Sequence, residues 1–194
     1  SFSIFIVTYY IYEESGSLRM IILACSFFVM GSIDTFHTLS YKGMADFFIT
    51  NESANRATTF WILSRLIGSI GLLSAAIIPA HKTINLNKWN FIAPTFILVI
   101  SLLIIVTFKQ EFFPAMYIEG IGLTKIKILL EYLVVFIMII TFLKVEREYR
   151  ITNKRLDYLI MIALLLSIFS EFAFISYGSV YDAYNYLGHI YKVL

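Results

Sequence analysis

Ionisable and hydrogen-bonding residues interrupt the apolar segments of this sequence where a membrane helix usually carries leucine or phenylalanine. In the stretch "IDTFHTLSYKGM", Asp34, His37 and Tyr41 follow i, i+3 and i+7 spacing, which places them on one face of a helix. Arg65 interrupts "FWILSRLIG", and Glu171 interrupts "LSIFSEFAF". Carboxylate, imidazole and guanidinium groups inside apolar segments pair with one another, bind ligands or carry protons, so they predict a functional site.

A second polar stripe lies in the last segment of the chain. Its members follow i, i+3, i+7 and i+10 spacing on a single helical face: Asp182, Asn185, His189 and Lys192. Asp182 has the residue type and position of a helix N-cap. We expect His189 and Lys192 to lie deeper in the membrane and to contribute to the same site.

The composition identifies the kind of elements that must position these groups. The chain of 194 residues is 59% hydrophobic and only 14% charged, and its mean hydropathy is +0.81. These values are typical of a membrane protein. A net charge of +2 without a long basic run argues against nucleic acid as a partner. A single cysteine, Cys25, excludes a disulfide within this chain and a Cys-rich metal cluster.

Hydropathy predicts an all-α fold, a polytopic transmembrane helical bundle with a partial span at each end. The five full spans are predicted at roughly 18 to 40, 59 to 79, 91 to 108, 126 to 143 and 157 to 177. Pro79 and Pro94 are expected to flank the loop after the third hydrophobic segment. We expect residues 1–194 to form one domain that is truncated at both ends, with an output domain after residue 194.

The loops predict the orientation. Connections near residues 13 to 19, 80 to 90 and 144 to 156 hold eight Lys and Arg residues, whereas the longer opposite loops hold five. The more basic side is expected to face the cytoplasm, together with the C-terminus. The protein is then expected in the cytoplasmic membrane.

The ionisable residues share one depth. With a rise of about 1.5 Å per residue, Asp34, Arg65 and Glu171 lie about 9 to 10 Å inside the outer ends of their spans. Each costs about 2.5 to 3.5 kcal/mol at a helix centre, so clustering in the bundle interior is favoured over exposure to lipid. The depth predicts a site in the outer leaflet. A buried polar network that only fixes helix register is the open alternative.

Three further features are given structural interpretations. Glu131 lies about 8 Å inside the outer end of its span, but it follows Lys127 by four residues, which favours an interfacial ion pair over a role in the site. Phe60, Trp61 and the tyrosines of the last segment are interpreted mostly as an interfacial aromatic belt. Small residues at Ser64 to Gly68 and Gly71 to Ala75 favour close helix packing.

Several chemistries fit the polar cluster. His37 and His189, with Asp34 or Glu171, could bind a divalent metal or hold a haem, although no HxxxH or HExxH spacing is present and no cofactor is required. Motifs for phosphate binding or nucleophilic catalysis are absent from the sequence, so we expect no enzymatic activity in this region. A proton, cation or small-solute carrier is the alternative class, but an apolar inner half disfavours access from both faces.

Three separated stretches carry a family resemblance: "GSIDTFHTLSYKGMADFF", "NRATTFWILSRLIGS" and "YNYLGHIYKVL". They are similar to the signature segments of the third class of bacterial membrane-associated sensor (MASE) domains. The matching positions are Asp34, His37, Tyr41, Gly43, Met44, Trp61, Arg65, Gly188, His189 and Lys192.

The resemblance implies the input module of a bacterial inner-membrane histidine kinase or diguanylate cyclase. Such a module would contact the lipid bilayer and would pass its signal to PAS, kinase or cyclase output domains in the same chain. These output classes generally work as homodimers. The expected signal-sensing residues are Asp34, His37, Tyr41, Trp61, Arg65, Glu171, His189 and Lys192. The stimulus is not implied by the resemblance.

Overall fold

The computed structural model describes residues 1–51, 53–176, 183, 186–188 and 190. The helices of the continuous part are α1 (Phe2–Ser15), α2 (Leu18–Leu39), α3 (Ala54–Ile77), α4 (Trp89–Phe108), α5 (Lys125–Thr152) and α6 (Arg155–Ser176). A short 3-10 turn (Gln110–Phe112) and a hairpin of strands β1 (Tyr117–Ile118) and β2 (Gly122–Leu123) connect α4 to α5. Helices α2 to α6 are long and apolar enough to cross a membrane, which confirms the predicted all-α membrane fold.

Two helices are longer than hydropathy predicts. α3 begins at Ala54 because Ser53 is an N-cap whose side chain accepts a hydrogen bond from the backbone N–H of Asn55. α5 continues through the charged stretch after residue 143 and ends at Asn153 in the left-handed conformation. Hydropathy detects the apolar part of a helix, and good helix formers such as Glu, Lys and Arg extend it into water.

The two prolines near the third loop have different positions. Pro79 follows the last residues of α3, as predicted. Pro94 lies inside α4 in its second turn, so the prediction that it marks a helix end was wrong. Pro94 has no N–H to donate to the Asn90 carbonyl, and its ring crowds that carbonyl, which typically costs about 3 kcal/mol in a helix interior.

α3 is the central helix, because it packs against α2 on one side and α5 on the other. Two glycines allow α2 to approach closely. A Cβ atom on Gly68 would lie 2.4 Å from the sulfur of Met30, and one on Gly71 would lie 2.0 Å from Oγ of Ser26. The predicted close packing at small residues is therefore confirmed.

Two loops, residues 40–53 and 109–124, cover one end of the bundle, which we call the loop-rich end. The Asn51 side-chain amide donates to the backbone carbonyls of Leu39, Met44 and Ala45 at 2.7 to 3.2 Å. Gly43 makes the turn out of α2 possible with a φ of 92°. Asn55 Oδ1 accepts hydrogen bonds from the N–H groups of Met116 and Tyr117 at 2.7 and 3.0 Å, which attaches the start of α3 to the hairpin.

The opposite end, which we call the basic end, holds a three-helix contact. Arg19 at the start of α2 donates two hydrogen bonds of 3.0 Å to the Glu148 carboxylate on α5. Its guanidinium also donates to the carbonyl of Ile78, at the C-terminal end of α3, at 2.6 and 2.9 Å. A cation at a helix C-terminus satisfies a carbonyl that has no intrahelical partner.

Candidate functional site

Asp34 on α2 and Arg65 on α3 form an ion pair. Nη2 of Arg65 lies 2.8 Å from Oδ1 and 2.9 Å from Oδ2 of Asp34. Ser64 donates a hydrogen bond of 2.7 Å to the same Oδ1. The Arg65 side chain is 7% exposed and that of Asp34 is 21% exposed, so the carboxylate is the more accessible partner of the pair.

Aromatic rings surround this ion pair. The Arg65 guanidinium lies 4.7 Å from the centre of the Trp61 ring, a cation–π distance. The His37 ring lies 5.2 Å from Trp61 and 6.3 Å from Tyr41. Trp61 is 4% exposed, so its interpretation as part of an interfacial belt was wrong, and Phe60 is likewise buried.

His37 has a defined tautomer. Its Nδ1 lies 2.8 Å from the carbonyl oxygen of Ala57. A carbonyl can only accept, so Nδ1 carries the proton and Nε2 of the neutral ring is an acceptor. The histidine thereby connects α2 to the first turn of α3. We use the name Asp34 group for Asp34, His37, Ser64 and Arg65.

A second set of charges, the Lys127 group, consists of Lys127 and Glu131 on α5 and Glu171 on α6. Nζ of Lys127 lies 2.6 Å from Oε1 of Glu131, and both side chains are fully buried. The ion pair is present as predicted, but its expected interfacial location was wrong. Glu171 is 2% exposed and interacts electrostatically with both Lys127 and Glu131.

Trp61 lies between the two groups. One side of the indole faces Arg65 and His37. Phe174 on α6 packs edge-on against it with ring centres 4.5 Å apart, and Glu131 on α5 interacts with the Trp61 side chain. The predicted site residues of α2, α3 and α6 are therefore brought to one region of the bundle.

This region lies toward the loop-rich end. Asp34 is about 7 Å before the end of α2, and Glu131 is about 9 Å after the start of α5. Arg65 is about 16 Å from the start of α3, deeper than predicted because α3 begins earlier. Helical side chains point toward the N-terminus of their helix, so the long Arg65 side chain reaches back to the level of Asp34.

Part of the predicted site lies outside the described residues. His189 and Lys192 belong to that part, and so do Asp182 and Asn185. Gly188 of the last motif is described, and its carbonyl accepts a hydrogen bond of 2.8 Å from Oγ of Ser170 on α6. The last motif therefore reaches α6 at Ser170, the residue before Glu171.

The described residues do not assemble a metal site. Among them, no group of three His, Cys, Asp or Glu side chains is placed to hold a metal ion. Asp34 is engaged by Arg65, and Nδ1 of His37 by Ala57. A metal or haem site that uses His189 stays an untested alternative.

Within the Lys127 group, sequence reasoning predicted Glu171 as a site residue but left Lys127 and Glu131 outside the site. Lys127 is in the first turn of α5, which on hydropathy alone is an interfacial position. Its burial comes from α3 and α6, which cover this turn. The available signal was Glu131, an acid flanked by apolar residues on both sides in "KILLEYLVV".

The fold and the site together define a class of protein. Five apolar helices with charged side chains paired inside their bundle describe a multi-pass membrane protein with an internal polar network. The chain belongs to the MASE3 family of membrane-associated sensor domains, whose family model matches residues 1–194. It is thus a membrane-embedded sensory domain. Comparison with curated proteins and with solved structures gave no match.

Proposed function

We propose that this chain is the sensory input domain of a bacterial inner-membrane histidine kinase or diguanylate cyclase. The Asp34 group detects the stimulus in the outer leaflet, and the last helix passes the signal to cytoplasmic output domains in the same chain, which act as a dimer. Family membership supports the sensory role. The excess of Lys and Arg in the loops of the basic end supports a cytoplasmic location for that end.

The observation that carries this proposal is the buried Asp34–Arg65 ion pair. Loss of one partner of a buried pair leaves an uncompensated charge and typically costs about 3 to 5 kcal/mol. The pair therefore keeps one arrangement of α2 and α3 until a ligand replaces one of the two charges. A stimulus that binds Asp34 or Arg65 would shift the bundle between two packings, which is the requirement for a sensor.

Output activity of the full-length protein tests the proposal. Asp34→Asn and His37→Ala are expected to change the basal output or to abolish the response across candidate stimuli, at normal expression. Thr35→Val is the matched control, because Thr35 lies beside Asp34 on the exposed surface of α2 and its hydroxyl bonds only its own helix. If both site variants respond like the wild type, the Asp34–Arg65 pair has only a structural role and the proposal fails.

A proton, cation or small-solute carrier is the competing class. A carrier needs polar groups that lead to both faces. Residues 20–33, 66–77, 132–143 and 158–170, which form the spans between the site and the basic end, contain no Asp, Glu, Lys, Arg or His. Because this half of the spans has no such residue, we favour a sensor whose polar site is accessible from one face of the membrane over a carrier. Ion uptake by proteoliposomes containing the full-length protein would reverse this preference.

A further inference from the structure

We propose that Phe174 is the positioning residue through which the Asp34 group acts on the chain segment around Gly188. The inference rests on the proposed sensory function and specifies its internal route. It assigns a role to a phenylalanine that carries no charge and lies outside the predicted site. The route runs from Arg65 and His37 to Trp61, from Trp61 to Phe174, and from Phe174 to Gly188.

The first contact of this route is between two rings. Phe174 is 2% exposed and meets Trp61 edge-on, with an interplanar angle of 61°. Trp61 in turn contacts two members of the Asp34 group, since Arg65 lies over its ring and His37 lies beside it. Any rearrangement of the Asp34–Arg65 pair that moves Trp61 is therefore transmitted to Phe174.

Lys127 fixes the backbone of Phe174. Its Nζ donates a hydrogen bond of 2.8 Å to the Phe174 carbonyl, in a fully buried position. The same Nζ pairs with Glu131, so the ammonium is anchored on α5 while it binds α6. With the backbone held in this way, a push from Trp61 is taken up by the Phe174 side chain.

Gly188 leaves that side chain no free space. A Cβ atom at Gly188 would lie 2.6 Å from Cζ of Phe174 and 2.8 Å from both Cε atoms. Ser170, one turn before Phe174, also holds the Gly188 carbonyl at 2.8 Å. The Phe174 ring is thus enclosed by Trp61 and by the backbone at Gly188, and close-packed interiors transmit such displacements.

Trp61 can report this contact by ¹⁹F NMR of the full-length protein labelled with 5-fluorotryptophan. Its resonance is assigned by its loss in Trp61→Phe. Gly188→Ala introduces a methyl group that must displace the Phe174 ring, so the Trp61 resonance is expected to shift. In the double variant Gly188→Ala/Phe174→Leu the phenylalanine ring is absent. The Gly188→Ala change should then no longer shift the Trp61 resonance relative to Phe174→Leu alone. Phe172→Leu is the matched control, because Phe172 is 45% exposed, and it should leave the shift caused by Gly188→Ala intact.

Two results overturn the inference. One is an unshifted Trp61 resonance in folded Gly188→Ala, and the other is an equal shift with and without Phe174. If Gly188→Ala alone does not accumulate as folded protein, recovery of folding by Phe174→Leu supports the contact, and failure to recover it overturns the contact.

Output measurements separate this inference from the proposed function. Phe174→Leu is expected to abolish the change in output caused by Asp34→Asn, whereas Phe172→Leu should preserve it. If Gly188→Ala shifts Trp61 while Asp34→Asn and His37→Ala leave the output unchanged, the proposed function fails and the contact stands. If Asp34→Asn changes the output equally in the Phe174→Leu background, the proposed function stands and the route through Phe174 fails.

Discussion

Replacing Asp34 by asparagine removes the charge of the central ion pair and keeps the shape of the side chain. The Arg65 guanidinium, only 7% exposed, would then lose its counter-charge. Loss of one partner of a buried pair costs about 3 to 5 kcal/mol. Asp34 is 21% exposed and asparagine still accepts a hydrogen bond from Arg65 or Ser64, so we expect a loss near the lower limit, about 3 kcal/mol.

A double-mutant cycle isolates the charge interaction from the shape of the site. Arg65→Met removes the cation and its contact with Trp61, and the cation–π part of that loss is worth about 1 kcal/mol. In Asp34→Asn/Arg65→Met neither charge remains. The loss of unfolding free energy in this double variant should therefore be smaller, by about 2 kcal/mol, than the sum of the losses in the two single variants.

Reversible unfolding in mixed micelles, with increasing mole fraction of a denaturing detergent, measures the four free energies of unfolding. Thr35→Val provides the control for a neighbouring substitution on α2 and should change the stability by less than about 0.5 kcal/mol. Additive losses in the double variant would refute the reasoning, because they would mean that the two charges do not stabilise one another in the folded protein.

Two further predictions concern the loop-rich end and the contact of α2 with α3. The N–H of Ala54 and the ammonium of Lys42 lower the pKa of Glu119, so its contribution to loop stability is complete above the ordinary carboxyl pKa and is lost as the pH falls through the lowered pKa. The protection factors of the amides in residues 40–51, corrected for the intrinsic effect of pH on exchange, should therefore fall at acidic pH in the wild type, and Glu119→Gln should remove this dependence. Gly71→Ala should destabilise the bundle by about 1 to 3 kcal/mol through the clash with Ser26. The variant Ser26→Gly should relieve that clash in the same unfolding assay.

The fold was largely predictable because lipid imposes a strong and simple requirement. About 20 consecutive apolar residues are needed to cross the bilayer, and hydropathy finds such segments directly. The predicted helix ends were wrong where something other than hydropathy determines the structure. The charged end of α5 is helical through local propensity, and Pro94 lies inside α4 because α4 already begins at Trp89.

The site was predictable only in part. Asp34, His37 and Arg65 stand out because ionisable residues are rare within apolar segments. Lys127 and Trp61 stand out less, because lysine and tryptophan are ordinary residues near a membrane surface, and Trp61 entered the predicted site only through the family resemblance. Their burial depends on which helices cover them, and helix neighbours are a property of the tertiary packing that one sequence does not contain.

The attachments of α3 at its two ends limit the kinds of motion that are available to it. Asn55 binds the hairpin at one end, and Arg19 holds the Ile78 carbonyl at the other. A helix anchored in both directions cannot work as a piston along its axis. Movement must instead be lateral or rotational, at the level of Trp61, where Phe174 of α6 packs against α3.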